Sequence, residues 1–185
     1  MYNIQTPKIE TNQLYESDII TKEEIPLLIG WLPKHPSKII KLYDTKIDTH
    51  NAGAFHSKCD DKGPTIVLVK SDSNCRFGGY TSISWGASSG AYIRDESAFL
   101  FSFDNKKKYN VNTPNYAVYC HHQFGPTFGC GHDMHLGNYA PQNTSSYNIG
   151  CAYPLETKNE LNKGKQNFMP ISYEVYQIIY PEQII

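Results

Sequence analysis

Hydrophobic residues recur along this chain with two different periods. Near the start, Ile25, Leu28, Ile29 and Leu32 follow helical spacing just after Thr21 and Glu24. In that pairing a hydroxyl and a carboxylate each satisfy a free backbone N–H of the first turn. The spacing predicts a short helix that stops before Pro33, with Pro26 early enough to be tolerated. "SKIIKLYDT" then alternates and is rich in β-branched residues, which predicts a first strand. Asn51 to Asp60, "NAGAFHSKCD", predicts a second short helix with Ala54, Phe55 and Lys58 or Cys59 on one side. From Pro64 onward the signal turns to strands. It predicts strands in "TIVLVKS", "RFGGYTSIS", "SAFLFSF", "NYAVYCHH", "DMHLG" and "SYEVYQIIY", separated by turn clusters such as "SDSN", "SSG" and "DNKKK".

Many strands with two early helices imply an antiparallel β-sandwich carrying helices at its periphery. Residues 1–16 are polar and without periodicity, so an N-terminal arm is expected there, followed by a single domain over 17–185. A chain of 185 residues is long enough for one domain with a real core. The polar stretch "LETKNELNKGKQNF" predicts a long loop with a helical turn at Lys158 to Asn162.

Charge narrows the function. A formal net charge of -1 and a pI of about 6.6 provide no long-range field to attract nucleic acid or an anionic membrane. The one basic run, Lys106-Lys107-Lys108, reads as a solvated hairpin tip. No segment reaches about 18 apolar residues, so no membrane insertion is expected. The start of the chain does not have the pattern of a secretory signal. Five cysteines, Cys59, Cys75, Cys120, Cys130 and Cys151, are an odd number, and the expectation is an intracellular, cytoplasmic chain with free thiols.

Candidate chemistry concentrates in "YCHHQFGPTFGCGHDMH". Cys120, Cys130, His132 and His135 could supply four zinc ligands, but structural zinc sites use two close pairs, and only His132-x-x-His135 makes one. A nucleophilic cysteine needs a neighbouring base or a helix N-terminus. His121 beside Cys120 does not provide one, because strand neighbours face opposite ways. His132 and Asp133 could also serve as a base and its orienting acid. The glycines give a more coherent reading. Gly125, Gly129 and Gly131, around Pro126, Thr127 and Phe128, imply a backbone that turns through positive φ, with His132 and Asp133 bonding to it. Gly78-Gly79 reads as a bulge or a close backbone contact within a strand.

The blocks "FHSKCDDKGPTIVLVKS", "FGGYTSISW", "AFLFSF", "GPTFGCGHD", "SSYNIG" and "YEVYQI", in that order, resemble the TLDc domain family, which includes the oxidation-resistance proteins. The likeness runs from about Ser17 to Tyr180. The family's "GPTFGGGHD" matches Gly125, Pro126, Thr127, Phe128, Gly129, Gly131, His132 and Asp133, with Cys130 where glycine is usual. Its late Leu-x-x-Gly...Phe element matches Leu161, Gly164 and Phe168, and its closing acidic residue matches Glu174. Between "LY" and "FH", where relatives carry a basic, Ser/Gly-rich turn, this chain has Asp44, Lys46, Ile47 and Thr49 and keeps Asp48.

The resemblance implies an α+β, mainly β fold: a TLDc-like sandwich of two antiparallel sheets with short peripheral helices. It implies an interaction module without agreed catalytic residues, metal or cofactor. Its associations are with oxidative-stress protection and with binding and regulation of the V-ATPase. A structural subunit of a larger assembly, with Trp31, Tyr80 or Trp85 on its surface, and a thiol- or histidine-dependent antioxidant enzyme are the alternatives.

Overall fold

The segment Thr65–Ser71 is buried at every position except Lys70, so the sheet that contains it must be covered on both faces. In the computed structural model, residues 9–86, 89–138, 145–146, 150–157 and 159–182 are described. The first elements are β1 (Thr11–Asn12), α1 (Ile25–Trp31), β2 (Lys38–Asp44), α2 (Ala52–Cys59), β3 (Thr65–Ser71), β4 (Arg76–Thr81) and β5 (Ala91–Ile93). They are followed by β6 (Phe99–Ser102), β7 (Lys107–Asn110), β8 (Val118–Cys120), β9 (Thr127–Phe128), β10 (Met134–His135), β11 (Ser145–Ser146), β12 (Asn167–Phe168) and β13 (Pro170–Ile179).

A seven-stranded sheet runs β1-β2-β13-β3-β4-β6-β7, and a four-stranded sheet runs β10-β9-β8-β5. The fold is α+β and mainly β, with the two helices at the periphery. Its named strands pair antiparallel except at the edge, where β1 lies parallel to β2, and an isolated parallel bridge joins Asp60 to Trp85. Alternation along the large sheet feeds two cores. Val67, Val69, Phe77, Leu100, Tyr173 and Val175 point toward the small sheet and meet Val118, Phe128 and Met134. Ile66, Leu68, Tyr80, Phe99, Phe101, Tyr176 and Ile178 point the other way, under Leu14, Ile19, Ile20 and the apolar face of α1.

Helix α1 forms where the period predicts, with Ile25, Leu28 and Leu32 buried. Its cap is only half made. Glu24 accepts from the Thr21 N–H at 3.0 Å, but it also grips Arg76 of β4 through both guanidinium nitrogens at 2.6 and 2.8 Å. That bidentate pair ties the helix to the large sheet. Helix α2 is capped by Asn51, whose side chain accepts from the Ala54 N–H at 2.8 Å. It buries Ala52, Phe55, His56 and Cys59, while Lys58 turns outward to Asp48 at 2.6 Å.

Several strands escape the periodicity because they are short. β1, β9, β11 and β12 are two-residue pairings set by tertiary contacts. β7 overturns the reading of Lys106-Lys107-Lys108 as a solvated tip. Only Lys106 is in the turn, at φ +51°. Lys107 pairs with Glu160 at 3.3 Å and with Glu156, and the Lys108 ammonium lies 4.3 Å from the Phe99 ring centre. Tyr80 and Trp85 are core residues, about 1% and 2% exposed, so neither forms part of a docking surface. Trp31 is half-buried against Phe101 and Phe103. Lys158 lies outside the described residues, and the helical turn it was expected to open occupies Glu160–Asn162.

Of the two readings of Gly78-Gly79, close contact holds. The register of β4 with β3 and β6 runs through both glycines without a shift. A Cβ on Gly78 would stand 1.9 Å from the Val67 carbonyl oxygen, and one on Gly79 would stand 2.8 Å from the Phe128 ring. Gly78→Ala is expected to lower the unfolding free energy by about 2 kcal/mol or more, the upper range for overpacking. Gly30→Ala, on the exposed side of α1 with open space around it, is expected to raise it by roughly 0.5 kcal/mol. Urea denaturation of both variants checks the pair.

Candidate functional site

The segment Gly125 to Asp133 leaves the turn after β8, forms β9 and folds back to β10. Its start is set by β10: the Gly125 N–H donates to the Leu136 carbonyl at 2.9 Å, and the Leu136 N–H donates to the Pro126 carbonyl at 3.0 Å. Thr127 is fully buried, and its hydroxyl lies 3.1 Å from the Gly125 carbonyl and 2.9 Å from His135 Nδ1. Phe128 is the core anchor, edge-on to Trp85 at 5.5 Å. The chain then turns through positive φ at Gly129, Gly131 and His132. At Gly129 this is obligatory, because a Cβ would stand 2.3 Å from Asp133 Oδ2.

Asp133 explains the loop. It is fully buried; its Oδ1 accepts from the Cys151 N–H at 3.1 Å, and its Oδ2 accepts from the Ala152 and Tyr153 N–H groups at 2.7 and 3.0 Å. Burial pushes its carboxyl upward from the usual value, against three N–H donors that pull it down. Tyr153 in turn donates its hydroxyl to the Ala117 carbonyl at 2.7 Å, the same carbonyl that accepts from Gly129 N–H. The loop, β8 and residues 151–153 are therefore locked together. His132 and Asp133 do not act as a base and its orienting acid: Asp133 faces backbone, while His132 stacks on His135 and leans tilted against Tyr119.

Cys130 is the largest correction. The sequence suggested a free thiol tolerated in place of glycine, but Cys130 is bonded to Cys151, with Cα atoms 5.5 Å apart. Cys59, Cys75 and Cys120 stay outside this bond and are buried, and burial pushes all three thiols upward. Among the described residues, no group of three or more His, Cys, Asp or Glu side chains is arranged to hold a metal ion.

The histidines gather instead around Phe124 on the solvent side of the small sheet. Its ring lies 4.6 Å from His121, 4.8 Å from His135 and 5.8 Å from His132. His56 fixes the turn beneath them: its Nε2 faces the His121 and Phe124 carbonyls, both at 3.0 Å, while Nδ1 faces Asp60 at 2.7 Å. That residue was missed, although its spacing of four to Asp60 on a predicted helix was a readable signal.

Glu174 lies elsewhere. Its side chain alternates to the opposite face of the large sheet from the Phe128 core, and it is about 1% exposed. It accepts from Lys41 Nζ at 3.2 Å, from the Tyr176 hydroxyl at 2.8 Å and from the Ser17 hydroxyl. Lys41 also reaches Asp44 at 3.0 Å. These contacts pin the N-terminal segment to β2 and β13, and the sheet separates them from Asp133. The late element likewise goes to the core: Leu161 and Phe168 are buried, with Phe168 edge-on to Phe77 at 5.1 Å, and Gly164 turns at φ +83°.

A family model, the TLDc domain, matches residues 13–179. The chain belongs to the TLDc domain family. No curated protein matches it. Within this TLDc chain, the motif residues divide into two groups on opposite sides of one sheet. No helix among the described residues is long and apolar enough to cross a membrane.

Two expectations follow for this TLDc domain. Asp133→Ala strands three backbone N–H groups, two of them donated by buried residues, and is expected to cost about 3 kcal/mol or more of stability in urea denaturation. The second concerns pH. Burial and the neighbouring His132 push His135 from its ordinary 6.5 down to about 4. Its folded value lies below its unfolded one, so its contribution is fully present above pH 6.5 and is lost as pH falls toward 4. That contribution is on the order of 3 kcal/mol. His135→Gln is expected to flatten the fall in stability between pH 7 and 4.5, and an unchanged slope would place the titration elsewhere.

Proposed function

We propose that this TLDc chain is a non-catalytic protein-interaction module. The observation that supports this reading most is how the motif's polar groups are spent. Asp133 and Glu174 are buried and occupied by partners within the chain, on opposite faces of the large sheet. A catalytic carboxylate has to face its substrate. The buried thiols are pushed away from the thiolate form a nucleophile requires.

What faces solvent suits binding. Ile47, about 83% exposed, stands at the tip of the turn where this chain departs from its relatives. Tyr92 and Tyr116 are exposed and packed edge to face at 5.2 Å. Exposed aromatic residues are enriched in interfaces. By family resemblance the leading partner is the V-ATPase, with the chain in the cytoplasm and oxidative-stress protection as the phenotype. The second reading is a structural subunit of another large assembly. The exposed Ile47 on an altered turn favours it, since that turn is poorly suited to a partner shared across the family.

Affinity purification of the tagged chain from its own cells, with mass spectrometry, separates the two. Enrichment of V-ATPase subunits is expected under the first reading, and stoichiometric recovery of a different stable complex replaces it with the second. Ile47→Asp should reduce partner recovery while changing stability by less than about 0.5 kcal/mol, as for an ordinary surface substitution. Unchanged recovery would remove this turn from the docking surface.

A further inference from the structure

The Cys130–Cys151 bond differs from the chain's other sulfur positions in access. Cys151 is exposed and Cys130 half-buried, whereas Cys59, Cys75 and Cys120 are buried. A sulfur in contact with solvent can be attacked by an external thiolate, and exposed disulfides are the labile class. The bond also differs from a structural staple in what surrounds it. The Asp133 carboxylate holds the N–H groups of Cys151, Ala152 and Tyr153, and the Gly129 N–H is bonded to Ala117. Both ends of the cross-link are thus anchored without it. The bond adds closure of the chain between the two cysteines, which are 21 positions apart.

We propose that Cys130 and Cys151 form a reversible dithiol–disulfide couple, addressed by an external dithiol, that can open and close with the core left in place. One thiolate of the dithiol attacks Cys151 Sγ. The Cys130–Cys151 bond breaks, and Cys130 leaves as a thiolate that takes a proton from water. The second thiol of the reductant then resolves the mixed disulfide, so the protein gains two electrons and two protons while the dithiol becomes a disulfide. Oxidised glutathione or a similar disulfide runs the couple backward. The cytoplasmic placement proposed above supplies the setting, since disulfides there are mostly transient or redox-sensing. The chemistry itself is independent of that placement and of any partner.

The test equilibrates the purified full chain in buffers of rising oxidised-to-reduced glutathione ratio, followed by quenching, alkylation and peptide mass mapping. Cys130 and Cys151 should pass from fully alkylated to fully protected across that series at native tryptophan fluorescence, with Cys59, Cys75 and Cys120 labelled only in urea. Hydrogen exchange at the amides of residues 151–153 should differ between the two states by less than about threefold, because Asp133 holds them in both. Three results would overturn the proposal: a pair that never forms, a pair that opens only with unfolding, or reduction that releases the amides of 151–153. Cys130→Gly restores the family's usual residue and should fold while Cys151 takes up a single glutathione. Failure of the folded variant to do so would show that Cys151 is not accessible. A negative result in these buffers leaves the interaction reading untouched, and absence of a partner in cells leaves the couple untouched.

Discussion

The fold depends on a steric allowance at Gly79. Phe128 of the small sheet stands with its ring where a side chain on β4 would otherwise be. A Cβ there would stand 2.8 Å from the ring and 3.0 Å from Leu100, so any larger residue forces those side chains to shift. Gly78 gives the matching allowance on the opposite face, beside the Val67 carbonyl and the Phe101 ring. Two adjacent glycines therefore clear both faces of one strand. Closing the sandwich places β9, and placing β9 determines where the turn through Gly129 and Gly131 must run.

Once that turn is fixed, buried carboxylates do the remaining positioning. Asp133 collects residues 151–153 by their N–H groups, and Glu174 collects Ser17, Lys41 and Tyr176. Each draws a distant stretch of chain onto the sheets, and each has its oxygens occupied by donors, which is how a buried carboxylate is accommodated without destabilising the core. A loop rich in glycine, histidine and aspartate resembles a catalytic motif in sequence. Here the aspartate serves as a backbone anchor and the glycines as turns.

The long strands and both helices were legible because their apolar period is imposed by faces that are buried over many residues. β3 and β13 carry that signal along their full lengths. Most of the two-residue strands carry none, since a pairing such as Thr11–Asn12 with Lys38–Ile39 is decided by neighbours far along the chain. Glycine spacing gave the turn at Gly129, but spacing could not tell whether Asp133 faced a histidine, a metal or backbone. The pairing of Cys130 with Cys151 was hidden for a related reason. An odd cysteine count argued against a fully paired framework and is silent on a single bond, whereas proximity follows only once Asp133 has brought residue 151 to the loop.

That order of dependence separates two kinds of linkage between the loop and residues 151–153. The carboxylate linkage is buried, satisfied three times over and built into the fold. The sulfur linkage is at the surface, with Cys151 exposed and Cys130 half-buried. A cross-link added where hydrogen bonds already hold the ends changes little in the folded core. The core can therefore accept a cysteine at position 130 without rearrangement, because Asp133 already holds residue 151 beside the loop.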